Sequence, residues 1–249
     1  MMFVGGVWIL SWMLMMTIVA QPAAADEPVK LIFDTDLGDD IDDAMALATI
    51  HALQSRGECE LLAVTITKDN DLSGPAANVI NTFYGRPEIP IGVVRDGMRK
   101  QPSRFTGGIV NAKEGDRPVY PHTLTKGSDA PEATGLLRKI LAAQPDNSVV
   151  FVQVGYSTNL ARLLDSPADD HSPLNGRDLV ARKGNLLSIM AGNFGPAENK
   201  PEWNIVQDVS SAKKIFADWP TPIVISGYEI GSAIRYPAES IEKDFDYVK

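Results

Sequence analysis

The chain has 249 residues, a formal net charge of −9 and a single cysteine, Cys59. The acidic balance, with no cluster of Lys and Arg, argues against a nucleic-acid partner, because phosphate contacts need grouped cations. One cysteine allows no intramolecular disulfide, and Cys59 reads as a small buried apolar residue.

Residues 1–25 contain no Lys, Arg, Asp, Glu or His, and Phe3 to Ala20 is almost wholly apolar. Small residues follow at Pro22-Ala23-Ala24-Ala25, which predicts a signal peptide over 1–25 cleaved after Ala25, an exported protein and one domain over 26–249. If the segment is not cleaved, roughly 18 apolar residues also suffice for a membrane anchor.

Beyond it, short aliphatic runs alternate with helix-period segments. "KLIFDTD" predicts a buried strand and "IDDAMALATIHALQ" a helix with Ile41, Ala44, Met45, Ala48 and Leu53 on its inner face. "ELLAVTIT" predicts a strand, "GPAANVINTFYG" a helix ending at Gly85, and "IPIGVV" a third strand. From Asp96 to about Pro131 the pattern gives way to a long Gly-, Pro- and charge-rich loop, of the kind that is usually functional or mobile. "EATGLLRKILAAQ" (helix), "SVVFVQVG" (strand), "STNLARLLDS" (helix), "NLLSIMAG" (strand), "DVSSAKKIFADW" (helix) and "TPIVISG" (strand) complete the alternation. The class is therefore α/β, an open, mostly parallel sheet flanked by helices. Ligands in such sheets sit beyond the carboxyl ends of the strands, here "DTDLGDD", "TKDN", "GYSTN" and "GNFGPAENKPEWN".

The first of these ends is the most informative. Six of the ten residues from Asp34 to Asp43 are aspartate. Carboxylates crowded at a strand exit repel one another, so protons or a cation must accompany them into the fold. An all-oxygen set without Cys or His points to Ca²⁺ or Mg²⁺. An EF-hand loop starting at Asp34 needs Gly at its sixth position and Glu at its twelfth, where Asp39 and Met45 stand. A phosphotransferase of the haloacid dehalogenase type would use Asp34 as nucleophile with Mg²⁺, but it leaves Asp42-Asp43 unexplained and has Gly38 where Thr or Val is usual.

"DTDLGDDIDDAMAL" resembles the N-terminal signature of the inosine-uridine-preferring nucleoside hydrolases, Asp-x-Asp-x-Gly-x-Asp-Asp-Ala, with two extra residues before the Asp-Asp-Ala. "ELLAVTITKDN", "VVFVQVGYSTNLARLL" and "NKPEWNIVQDVSSAKKIF" are similar, in the same order, to further motifs of that family. The resemblance implies a Rossmann-like nucleoside hydrolase fold and Ca²⁺-dependent hydrolysis of the N-glycosidic bond of ribonucleosides. It further implies that Asp36, Asp43 and the backbone carbonyl of Val154 bind Ca²⁺, with Asp40 of the two-residue expansion as a further ligand or a supporting group. Asp42, Asn70, Glu202 and Asn204 would surround the ribose, Asp36 would serve as base toward water, and Asp34 would orient the cluster. The substrate partner implied is a small nucleoside; a homo-oligomer is compatible with the pattern.

The family completes its metal site with an Asp beyond the strand that "TPIVISG" resembles, often preceded by a His. In "YEIGSAIRYPAESIEKDFDYVK" only Asp244 and Asp246 are of that type, and neither has the expected context. A domain lacking its C-terminal part is the expectation from this, with a catalytically impaired nucleoside- or ribose-binding remnant as the alternative to an active hydrolase. His51 reads as helix packing, His122 as loop, His171 as solvated surface after "ADD", and Trp203 as packing beneath the site. Asn193 and Asn199 read as near the ribose without a clear register.

Overall fold

In the computed structural model of the chain, described for residues 27–100, 103–195 and 201–244, the run Val29–Thr35 forms strand β1. The expected signal peptide, Asn199 and Asp246 lie outside the described residues. β1 has Ile32 and Phe33 with no exposure at all, which marks it as the middle of the sheet. It pairs in parallel with β2 (Cys59–Lys68) on one side and with β6 (Val149–Gln153) on the other. β3 (Ile91–Met98), β7 (Gly184–Met190) and β8 (Ile223–Ser226) extend the sheet to the order β3-β2-β1-β6-β7-β8, all parallel. The chain winds outward from β1 to β3 and then restarts on the opposite side at β6, so the winding reverses between β1 and β6. At such a reversal the connections leave in opposite directions and a crevice opens above the strand ends.

Helices cover both faces. α1 (Asp42–Ser55) and α2 (Ser73–Phe83) close a core of Phe33, Leu47, Ile50, Val64, Ile66 and Ala77. On the other face α4 (Ala133–Ala142), α5 (Thr158–Asp165), α6 (Gly176–Lys183) and α8 (Val209–Asp218) bury Leu137, Phe151, Leu160, Leu163, Leu179 and Ile215. The long loop after β3 is not featureless. It holds the short helix α3 (Thr106–Val110), the two-stranded β4 (Lys113–Glu114) and β5 (Arg117–Pro118), and a 3₁₀ turn over Gly127–Asp129. α6, capped by the Asn175 side chain accepting from the Asp178 amide at 2.9 Å, is a further element that the apolar pattern does not announce, since only Leu179 and Val180 of its side chains are buried apolar groups. α7 (Trp203–Gln207), α9 (Tyr228–Ala233) and α10 (Ala238–Asp244) are likewise short. No helix among the described residues is long and apolar enough to cross a membrane.

The structure corrects the inner face of α1. Ile41 and Met45 are exposed, and the buried side chains are Asp43, Leu47, Ile50 and His51. These follow helical spacing equally well, but this phase also buries the Asp43 carboxylate. His51 is core: its ring stacks on Tyr84 at 4.8 Å and its Nε2 meets Asn81 Oδ1 at 2.8 Å. The "ADD" stretch is half structural, because Asp169 pairs through both oxygens with the buried Arg138 at 2.7 and 2.9 Å, whereas His171 beside it is exposed.

One glycine sets how closely the two halves meet. A Cβ on Gly155, just after β6, would lie 2.5 Å from the Asp36 amide nitrogen and 2.8 Å from the Thr35 carbonyl carbon. Both are backbone atoms at the exit of β1 that cannot step aside. Gly155→Ala should therefore cost about 2–3 kcal/mol of overpacking, read as a lower urea midpoint at unchanged slope; a midpoint like that of the wild type would show that the β1–β6 junction is slacker than its geometry.

Candidate active site at the carboxyl end of β1

Above the β1–β6 reversal lies a cavity of about 300 Å³. Asp36, Asp39, Asp40, Asp42 and Asp43 line one side, and Val154, Met190, Glu202, Trp203, Asn204 and Tyr228 the other. The sheet delivers the first set because β1 ends at Thr35 and the chain must turn sharply into α1. Gly38 makes that turn possible with φ of 141°, a conformation that side chains resist. Asp42 and Asp43 then occupy the first turn of α1, whose free amides favour negative charge. Asp40, Asp42 and Asp43 can each offer one oxygen within 4.8 Å of the others.

Asp34 sits beneath this layer rather than in it. It is 1% exposed, and its Oδ1 accepts from Thr65 Oγ1 at 2.5 Å and from Asn159 Nδ2 at 2.9 Å. Its Oδ2 is buried with no hydrogen-bond partner. A group so enclosed has no line of attack on a phosphoester, so the nucleophile role of the phosphotransferase reading finds no geometric support. Burial pushes the Asp34 carboxyl up to about 7, against the pull of Thr65 and Asn159. Burial also lifts Asp36 to about 7, with Asp40 adding repulsion, while the nearby Tyr156 hydroxyl and the Lys68 ammonium oppose the rise. Asp40 is raised to about 6 by partial withdrawal from water and by Asp42 and Asp39. Asp43, 5% exposed, is held well above the usual carboxylate range by burial and then by Asp36. Carboxylates that raise one another in this way, beside a buried oxygen lacking any donor, are a donor set suited to a hard divalent cation.

Asp39 behaves differently. Burial alone would raise it, but it is held below the ordinary value by an ion pair with Lys68, by the Arg104 amide at 3.2 Å and by Arg99.

Val154, whose carbonyl is expected as a metal ligand, lines the cavity, and that carbonyl accepts from Asn204 Nδ2 at 2.7 Å. A carbonyl has a second lone pair, so this bond does not consume its capacity. Glu202 lines the cavity while capping α7, accepting from the amides of Asn204 at 2.7 Å, Ile205 at 3.0 Å and Gly192 at 3.2 Å. Asn70, expected beside the ribose, is engaged at the entry to α2. Its Oδ1 accepts from the amides of Leu72 and Ser73 at 3.0 Å, its Nδ2 donates to Ser103 at 3.1 Å, and it borders a neighbouring cavity with Asp69 and Asp71. Helix entry therefore claims this side chain. Trp203 is not packed beneath the site: it is 51% exposed at the mouth, with the Arg99 guanidinium 5.0 Å from its ring centre. His122 is tied to the Tyr120 carbonyl at 2.7 Å, away from the cavity.

Sequence reasoning missed Lys68, Asn159, Tyr156 and Tyr228. Asn159 is carried in the "TNLA" motif, and Lys68 is signalled by a charge at the end of an otherwise apolar strand; the aromatic pair leaves no local signal.

The parallel sheet, its reversal at β1 and the carboxylate-lined crevice define an α/β protein with a nucleoside-hydrolase-like architecture. Residues 31–248 match the sequence profile of the family described as inosine-uridine preferring nucleoside hydrolase, and the chain belongs to that family. It is 31% identical over 223 residues to the pyrimidine-specific ribonucleoside hydrolase RihA of Enterobacter sp. (strain 638), covering 86% of this chain and 64% of that protein. It is also similar to a plant nucleoside hydrolase, PpNRh1, at 26% identity and a TM-score of 0.55, covering 86% of this chain and 64% of that one. The inosine-uridine preferring nucleoside hydrolase of Bacillus anthracis shares the fold at 21% identity and a TM-score of 0.63, covering 88% of this chain and 73% of that one. The chain thus spans just under two thirds of the length of the curated relatives it matches.

The raised carboxylates predict an unusual stability profile. Asp34 and Asp36 move from 3.8 unfolded to about 7 folded, so the native state holds more protons between those values and stability falls as pH rises through the window. His51, buried and lowered from 6.5, acts the other way as a single group, favouring the fold above its usual value. With chelator present, the melting temperature should drop between pH 5 and 7 by several degrees, since each proton held only by the folded state is worth about 1.4 kcal/mol per pH unit, and added Ca²⁺ should restore it. A melting temperature that rises steadily over that interval in chelator would show that the carboxylates are not desolvated together.

Proposed function

We propose that the site hydrolyses the N-glycosidic bond of ribonucleosides with Ca²⁺ as cofactor, giving ribose and free base. The observation that carries this reading is the convergence of Asp36, Asp40, Asp42 and Asp43 with the Val154 carbonyl in one cavity at the β1–β6 reversal, in a chain of this family. Asp36, Asp40, Asp43 and the Val154 carbonyl would hold the ion, with the buried Asp34 fixing the floor beneath them. When bound, the ion supplies a polarised water and an anchor for vicinal hydroxyls.

The rest belongs to the side chains. Asp42, on the open rim, accepts from a ribose hydroxyl, and Glu202 and Asn204 border the sugar from the opposite wall. The departing carbon becomes oxocarbenium-like, and a ring of carboxylates is the matching field for that positive charge. Asp36 takes the proton from the attacking water. Its desolvated carboxylate has the high proton affinity that a base toward water requires. Trp203 and Tyr228 at the mouth offer apolar surface to the leaving base. The preference of the RihA relatives for pyrimidine nucleosides makes uridine and cytidine the first substrates to try.

A second reading, nucleoside or ribose binding without turnover, would use the same cavity. Export through residues 1–25 is proposed from their sequence alone.

Release of ribose from uridine in Ca²⁺, stopped by chelation and restored by Ca²⁺, is the expected result. Asp36→Ala should lower kcat by about 10²–10⁴-fold with a much smaller change in nucleoside affinity. Ligand-induced stabilisation without ribose under every metal condition would instead establish the binding-only reading.

A further inference from the structure

Lys68 is the one side chain of the site whose type the proposed chemistry does not ask for. It ends β2, is 1% exposed, and reaches the wall of a pocket suited to a cation through Asp39. A buried ammonium without a counter-charge is costly and would give up its proton. Here its Nζ is bonded to Asp39, a residue of the acidic turn where the chain departs from the family signature by two extra residues. Asp39 is further fixed by the Arg104 amide at 3.2 Å and by Arg99 at 3.7 Å. The neighbouring backbone of the turn is tied down as well: the Gly38 carbonyl accepts from the Phe105 amide at 3.0 Å, and the Leu37 carbonyl accepts from Ser73 Oγ at 2.6 Å. The charge on Lys68 also reaches Asp36. One of the six aspartates is thus withdrawn from the cation set, and its partner ammonium acts on Asp36 as well.

We propose that Lys68 is a resident cation of the aspartate turn, which holds the turn on β2 through Asp39 when no divalent ion is bound and weakens the binding of that ion by its own charge. Lys68 is a positioning residue in this role and touches no substrate. The inference rests on the reading that the aspartates bind Ca²⁺.

Ca²⁺ binding to the full chain, followed by titration calorimetry at a pH where the site carboxylates are ionised, tests it. Lys68→Met fills the same volume without charge. It should melt at a lower temperature in chelator, gain more from Ca²⁺, and bind Ca²⁺ about ten-fold tighter or more, as expected for removing a buried like charge that water screens poorly. Asp39→Asn unmasks the ammonium and should bind Ca²⁺ more weakly; Lys68→Arg should stay close to the wild type. The opposite signs are decisive, since an ion pair that merely braces the loop weakens binding from either side. Weaker or unchanged binding in Lys68→Met overturns the proposal. Should that variant not fold without Ca²⁺, Lys68→Gln is titrated in its place, and weaker or unchanged binding in it is the overturning result. Absence of Ca²⁺ binding by the wild-type chain would overturn the metal reading itself and this one with it, and is seen before any variant is made.

Discussion

The structure turns on the desolvation of several carboxylates at one point of a parallel sheet. β1 is the middle strand, covered on both faces, and its last residues carry Asp34 and Asp36 straight from the core into the crevice where the winding reverses. Like charges in that position can be kept only with protons, hydrogen-bond donors or cations. The surrounding architecture supplies all three in part. Thr65 and Asn159 donate to Asp34, the first turn of α1 faces Asp42 and Asp43, and Lys68 neutralises Asp39. What remains without an ion-pair partner of its own is the group formed by Asp36, Asp40, Asp42 and Asp43 beside the orphaned Asp34 oxygen, and that remainder gives the cavity its chemistry.

Two cross-links hold the opposite wall at the right distance. Thr158 at the start of α5 donates to Asp208 at the cap of α8 at 2.7 Å, which ties the strand-turn-helix after β6 to the segment carrying Glu202 and Asn204. Asn204 in turn donates to the Val154 carbonyl. Each of these residues lies in a stretch recognisable in the sequence, but each bond joins positions 50 residues apart. Gly155 lets the two strand ends approach to backbone contact, so the wall bearing Val154 and the turn bearing Asp36 form one unit.

Capping explains why some side chains that look available are not. Asn70 has the amide that would suit a sugar hydroxyl, but its oxygen is engaged at the entry to α2 and its nitrogen donates to Ser103. Glu202 also caps a helix, and it still lines the cavity because α7 begins at the cavity wall. The same motif letters thus end in different duties, according to where the helix they start is pointed.

The strand-helix alternation, the parallel sheet and the acidic strand exit are legible in the residues alone, because apolar periodicity and residue type are local properties that survive without knowledge of neighbours. The family resemblance is legible there too, through four ordered motifs. Which face of α1 is inward is not, since Ile41 with Met45 and Asp43 with Leu47 and Ile50 both satisfy helical spacing, and the choice depends on the sheet beneath. The folded chain likewise decides that Asn70 caps the entry to α2, that Trp203 sits at the mouth, and that Lys68 and Asp39, 29 positions apart in sequence, share one ion pair. Long-range electrostatics of that kind leave no periodicity in the chain, and they exist only once β2 has been laid beside β1.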